Sequence, residues 1–402
     1  MNRKAVKKKM IIILAGIMTL AVAVFAVLLL SSGIFTSSRY LEPWDKNYSM
    51  QFDDPRIRLV SHGILAANGH NMQPWKVRLD PDDPLVFYLY ADADRLTPEV
   101  DPFARQTLIS QGVFLEYVKI AGDKLGYETK MALFPEGDYD EQNLLESMKT
   151  TPVAKVALTK TSPQTNVPLY DYMFLPDTNR APYKENQLTD KQINVLQSIP
   201  AETDISLQIF QSKNDVNRLG HYAIEGANIE AGIHRINEES AQIFRSNEYQ
   251  KNKYRYGFSL EGQGNSGIMK HIMQGIITLI PSFNNEKASS DLLVKSTQTA
   301  IEHTPTYAMI ITQDNSRVQQ VLSGMVYSRL NLTAHNLGIA IQPTSQALEE
   351  YPEMDTLYSA IHQEYAPHFG TIQMFVRLGL PTKAALPTMR RDVLEIIETA
   401  KD

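Results

Sequence analysis

Asn71 and Gln73 stand where polar side chains can do chemistry. They fall in residues 66–79, Ala-Ala-Asn-Gly-His-Asn-Met-Gln-Pro-Trp-Lys-Val-Arg-Leu. The sequence predicts a helix closing on Asn68-Gly69, then Pro74, which forbids helix, then an alternating Trp75, Val77, Leu79 that starts a strand. Two amide side chains are thereby held at the mouth of a sheet, although a helix cap before a buried tryptophan uses the same residues. A second arrangement is Glu230, His234 and Glu238, spaced as a metal ladder on one helix face, with a solvated face as its alternative. Other catalytic patterns are absent. No Gly-x-Gly-x-x-Gly or Walker run follows a strand, and neither His-Glu-x-x-His nor Gly-x-Ser-x-Gly occurs. Without cysteine there is no thiol nucleophile, thiolate metal site or disulfide, so chemistry falls to another group or a cofactor.

The elements that position these residues begin with an apolar run, residues 10–30. At 1.5 Å per residue it matches a hydrocarbon core of roughly 30 Å. Arg3, Lys4, Lys7, Lys8 and Lys9 precede it and Arg39 is the first basic residue after it. The positive-inside rule therefore places a basic tail (1–9) in the cytoplasm, a single-pass anchor (10–30) in the cell membrane, and a tether (31–53) and the globular part outside. The rival is a cleaved signal peptide, whose apolar core usually runs about 7–15 residues, with Ser31-Ser32-Gly33 as its exit. The remainder, in a chain of 402 residues with 21% charged, has room for two core-bearing units, and a net charge of −6 argues against a nucleic-acid surface.

Asp54-Pro55 opens a helix with the stripe Ile57, Val60, Ile64, Leu65, and Asp101-Pro102 opens a longer one ending at Gly126. Strands are predicted over 75–79, 85–90, 128–133 and 153–158 in a first half (54–175), and over 205–210, 307–311, 339–342 and 372–378 in a second (176–402). Helices are predicted after Thr189 and over 216–244, 268–279, 315–337 and 354–363. Gly112 and Gly324 sit alike in two long helices that Gly126 and Gly338 close at the same offset, which suggests an internal repeat. The stretch 212–303 has no counterpart in the first half.

Asn71-x-Gln73-Pro74-Trp75 resembles the helix-to-strand junction of the nitroreductase family of FMN flavoproteins. The repeat is similar to the Acg-like subgroup, in which two nitroreductase halves are fused. That resemblance implies an α+β fold of two pseudo-symmetric nitroreductase-like halves, with mixed sheets packed by long helices. It implies FMN as cofactor, with Asn71, Gln73 and Pro74 at the ring edge. Arg180, in Asn179-Arg180-Ala181-Pro182-Tyr183, resembles the family's first phosphate arginine, with Pro182 and Tyr183 beside it, and Arg390-Arg391 its C-terminal basic pair. A guanidinium fork takes phosphate oxygens bidentately. Pro343, Thr344 and Ser345 lie where the family covers the reactive nitrogen with backbone amides. Asp101, Pro102 and Arg105 resemble an Asp-Pro-x-x-Arg element of the subgroup. The second half lacks Gln-Pro-Trp at 199–208 and the first lacks the arginine, so the resemblance implies one flavin between the halves, with no homodimer needed to build the site.

From the residues alone, Arg180 pairs equally well with Asp177, Arg390-Arg391 reads as a solvated charge pair, and Asp101 with Arg105 reads as a cap with an i,i+4 ion pair. The expected function is an FMN-dependent oxidoreductase that passes electrons to a nitroaromatic or quinone-type acceptor from NAD(P)H or a membrane quinol. The flavin carries the chemistry and no catalytic side chain or metal is named. The alternatives are a non-catalytic flavin-binding store whose insertion closes as a lid, and a flavin-free extracytoplasmic interaction domain.

Overall fold

The structure, a computed structural model, describes residues 3–200, 204–368 and 370–398. Helix α1 (Arg3–Ser32) projects from the body, and no residue of its stretch apolar enough to cross a membrane is buried. The chain then packs down: Tyr40, Pro43, Tyr48 and Ser49 in two short 3-10 turns are buried, so this stretch is part of the body where a free tether was expected. Helix α2 (Pro55–Gly63) is capped by Asp54 with Pro55 in its first turn.

A first sheet follows from β1 (Trp75–Leu79), β2 (Val86–Ala91), β3 (Tyr127–Leu133) and β4 (Ala154–Lys160), with α3 (Arg105–Leu125) between β2 and β3 and α4 (Leu144–Thr150) before β4. After α5 (Asp190–Gln197), a second sheet is built from β5 (Ser206–Phe210), β6 (Thr306–Thr312), β7 (Ala340–Pro343) and β8 (Thr371–Gly379). Between β5 and β6 lie α6 (Lys213–Ala231), α7 (His234–Gln242), α8 (Glu248–Tyr254), α9 (Gly267–Leu279) and α10 (Glu286–Glu302). Helix α11 (Arg317–Asn336) joins β6 to β7, and α12 (Asp355–Tyr365) precedes β8. Strand β9 (Ile397–Glu398) adds parallel to β1, so the end of the chain returns to the first sheet.

Both sheets share one strand order. The first runs β3-β4-β2-β1 and the second β7-β8-β6-β5, with antiparallel neighbours in each. Helices α3 and α11 cross in the middle at two glycines. A Cβ on Gly112 would strike the Val321 carbonyl, and one on Gly324 would strike the Ile109 carbonyl, so each glycine meets the residue one turn before the other. Gly126 and Gly338 close these helices at φ of 83° and 71°, in the left-handed region. One core runs through both sheets, from Trp75, Phe87 and Phe114 to Ile310, Val326 and Leu330.

Several boundaries differ from expectation for local reasons. Helix α2 stops at Gly63, which packs against the Phe114 ring, and the chain reaches an extended Asn68 through tight turns. Helix α3 starts at Arg105 because Ala104 is left-handed (φ 55°); Asp101 still caps it, accepting the Gln106 and Thr107 N–H groups at 3.0 Å each. The helix expected over 216–244 breaks at Gly232-Ile233, so Glu230 ends in α6 while His234 opens α7, and no ladder on one face forms. In the second junction, 199–208, residues 201–203 lie outside the described residues.

Candidate functional site

The loop from Asn68 to Pro74 is strained. His70, Asn71 and Gln73 each have φ of 53°, where a non-glycine residue costs about 1–3 kcal/mol. Hydrogen bonds hold it there. The Gln73 N–H donates to Asn68 Oδ1 at 2.7 Å and the Gly69 N–H to Ser110 Oγ at 3.2 Å. Asn71 exchanges bonds with Gly257: its carbonyl accepts the Gly257 N–H at 3.0 Å and its Nδ2 donates to the Gly257 carbonyl at 3.2 Å.

Beside this loop lies a cavity of about 200 Å³. The first half lines it with Ala67, Asn68, Gly69 and His70 and with one face of α3 from Arg105 to Val113. The second half supplies Asp177, Thr178, Arg180, Tyr327, Pro343, Ser345, Gln346 and Glu349. Its charges are mostly cancelled. Arg105 is pinned by Glu350 at 3.1 Å and by the carbonyls of Leu348 (2.7 Å) and Gln373 (2.8 Å), while Asp177 pairs with Arg390 at 3.1 Å. Burial, reinforced by neighbouring Glu230, pushes the Glu349 carboxyl well above its ordinary range. Arg180 is the exception: among the described residues it forms no ion pair, and its one hydrogen bond runs from Nη1 to the Gly262 carbonyl at 2.8 Å. Water reaches its side chain, yet the protein around it lowers its pKa by desolvation.

Polar atoms left bare border the same space. His70 Nδ1 and Tyr327 Oη are buried without a hydrogen-bond partner among the described residues. Burial, with the charge of Arg180 beside it, brings His70 down to about 4, so the ring is neutral at pH 7 and can donate or accept one hydrogen bond. Phe258 packs against it with its ring tilted, at 5.4 Å between ring centres, which makes residues 255–262 a cover over the loop.

The residues expected at a site separate into two groups. Arg180, Pro343 and Ser345 line the cavity. Asn71, Gln73, Pro74, Pro182, Tyr183, Thr344, Arg390 and Arg391 do not. Asn71 Oδ1 accepts from Arg390 Nη1 at 2.9 Å, and Gln73, fully buried, accepts the Arg391 N–H at 2.8 Å and donates to the Arg255 carbonyl at 2.8 Å. These amides tie the cover and the C-terminal tail to the loop. Arg390 is 1% exposed, bonded to Asp177 and the Leu65 carbonyl and stacked on Trp44, so the solvated pair is not formed. Tyr183 is buried under Arg377, whose guanidinium lies 3.8 Å from the ring centre. The Thr344 N–H is spent on the Phe375 carbonyl at 2.8 Å. Arg105 pairs with Glu350, not with Asp101, and Asp177 pairs with Arg390, not Arg180. His70, Tyr327 and Glu349 were not singled out from sequence. His70 lay inside the motif, but nothing in its spacing marked it, and the other two are brought in by tertiary packing.

An uncompensated guanidinium, bare hydrogen-bonding atoms and walls from both halves fit a ligand with one anionic group, such as the phosphate of FMN. The volume lies below the roughly 300–1,000 Å³ common for ligand pockets, so the cavity as it stands is smaller than an intact flavin needs. Of the two arginines that line the cavity among the described residues, Arg180 is the one that could meet the phosphate without breaking an existing ion pair.

No family model matches the chain, and no curated protein matches it. Among solved structures, it is similar to the FMN-dependent nitroreductase NfnB from Mycobacterium smegmatis in complex with NADPH, at 12% identity and a TM-score of 0.32, covering 56% of this chain and 94% of that one. It is also similar to a nitroreductase-like family protein from Bacillus cereus, at 9% identity and a TM-score of 0.30, covering 56% and 91%.

Proposed function

We propose that the chain is a membrane-anchored, FMN-binding oxidoreductase of nitroreductase type, with two fused halves and one cofactor between them. The observation that carries this is Arg180, a cation that forms no ion pair among the described residues, at the wall of a cavity built by both halves. Bound FMN would supply hydride and electron transfer from NAD(P)H or a membrane quinol to a nitroaromatic or quinone-type acceptor. The chain's own part is to bind and enclose. Arg180 holds the phosphate, His70 and Tyr327 hydrogen-bond polar edges, and Pro343 and Ser345 form the facing wall. Asn71, Gln73, Arg390 and Arg391 act one layer out, fixing the loop and its cover.

A storage role without turnover is the second reading, favoured by the bonds of Asn71 to Gly257 and of Arg180 to Gly262 that hold the cover shut. A flavin-free interaction domain is the third. Membrane anchoring is supported by Ser32, the last residue of α1, which is fully buried in the body; cleavage after it would unmake that packing. The test is flavin affinity of the full-length chain and of Arg180→Ala in detergent, read by flavin fluorescence. Loss of a charge-assisted contact should weaken binding roughly ten- to a hundredfold. Unchanged affinity removes Arg180 from the phosphate.

A further inference from the structure

Helix α9 is inside out for a helix in water. Its polar residues face the protein: Gln274 is fully buried against Glu248 at 3.1 Å, Lys270 meets Glu248 and Glu261 at 2.9 Å each, and Thr278 accepts from Asn247 at 3.1 Å. The apolar residues at its two ends, and those of the turn after it, face out, with Ile272, Met273, Ile276 and Ile277 half-buried between them. Ile268 is 52% exposed, Met269 59%, Leu279 49%, Ile280 47% and Phe283 63%. A soluble amphipathic helix does the reverse, and a contiguous outward apolar edge marks a surface that meets another apolar phase.

The neighbour of α9 says which phase. It runs antiparallel along the end of α1: Ser32 Oγ meets His271 Nδ1 at 3.2 Å, and one turn further on Gly275 lies against the Leu28 backbone, where any Cβ would collide with its carbonyl. Small residues permit such close approach between membrane helices. The direction of travel is from the body toward the exposed part of α1. Depth is bounded by Asn284-Asn285-Glu286-Lys287, which follow Phe283 directly and are too polar for the hydrocarbon centre.

We propose that α9 and the turn at 280–283 are seated in the outer interface of the bilayer beside α1, as a second membrane contact that carries the cover of the loop. This rests on the anchor role of α1 stated above. The link to the cover is a buried charge cluster. Lys251, fully buried, meets Glu248 at 2.7 Å and Glu261 more closely, and Lys270 of α9 meets both. Lys251 lies just before the cover and Glu261 at its far end, next to Gly262, which accepts the Arg180 bond. Movement of α9 in the interface is thus transmitted to the segment over His70 and Arg180.

The chain has no cysteine, so single cysteines can be labelled cleanly. Full-length Ile280→Cys, Phe283→Cys, Val22→Cys and Glu128→Cys, each carrying a polarity-sensitive fluorophore, are reconstituted into phosphatidylcholine vesicles with nitroxide on the acyl chains. Strong quenching at 22, 280 and 283 with none at 128 is the expected result. Quenching at 22 with 280 and 283 as unquenched as 128 overturns the seating of α9 and leaves the anchor standing. No quenching at 22 overturns the anchor, and the inference with it.

Discussion

Arg105, first residue of α3, meets Glu350 of the second half at 3.1 Å, and Arg317, first residue of α11, meets Glu141 of the first half at 2.6 Å. The same offset separates Arg105 from Arg317 as separates Gly112 from Gly324, so the two bridges are near-equivalents across the helix crossing. They differ in setting. Glu350 is 13% exposed and Glu141 58%.

Arg105→Ala strands a mostly buried carboxylate and two carbonyls and should cost about 3–5 kcal/mol. Arg317→Ala, whose partner is solvated, should cost roughly 1–2 kcal/mol. Urea unfolding of the two variants checks the order; equal losses would mean that burial does not set the value of these bridges.

Gly112→Ala drives a methyl into the Val321 carbonyl, a backbone atom that cannot rotate away. Overpacking of this kind should cost about 1–3 kcal/mol or more. Gly137→Ala, with open space around its Cβ position but φ of 103°, should lose only the backbone penalty. Thermal unfolding distinguishes the two, and a smaller loss at 112 would put the close crossing in doubt.

Glu230 is pushed up to about 7 by burial, from an ordinary 4.5. The folded state therefore binds its proton more tightly than the unfolded chain, so stability falls as pH rises from about 4.5 through 7 and then levels. Glu230→Gln removes that slope and should gain on the order of 2–3 kcal/mol over wild type at pH 8, with little change at pH 4. Parallel pH profiles for the two proteins would contradict the buried neutral acid.

Asn71→Ala removes side-chain bonds to Gly257, Met389 and Arg390 while the main chain keeps its bond to Gly257. The cover should loosen, and chymotrypsin should cut faster near Tyr254 and Tyr256, at least several-fold. An unchanged cleavage rate would show that the amide does not hold the cover.

Much of the scaffold was legible because it rests on local signals. The glycine stops at 126 and 338, the Thr189 cap and the alternation from Trp75 have short-range causes, and the strands fall within a residue or two of their expected bounds. The site was harder to read. Asn71 and Gln73 lie at a sheet mouth as expected, but their left-handed backbone turns their amides toward the tail and cover. No composition or spacing encodes that strain. Arg390 looked solvated because its partners, Leu65, Asn71 and Asp177, are distant in sequence. The inverted polarity of α9 was invisible for the same reason: its apolar count is that of any core helix, and only the positions of Glu248 and Glu261 show which side is inside.

The visible absorption spectrum of the full-length chain in detergent, as purified and after excess FMN and desalting, tests the central claim most directly. A flavin band retained by the wild type and reduced in Arg180→Ala is the predicted result. Absence of any band under both conditions would contradict an FMN site between the two halves.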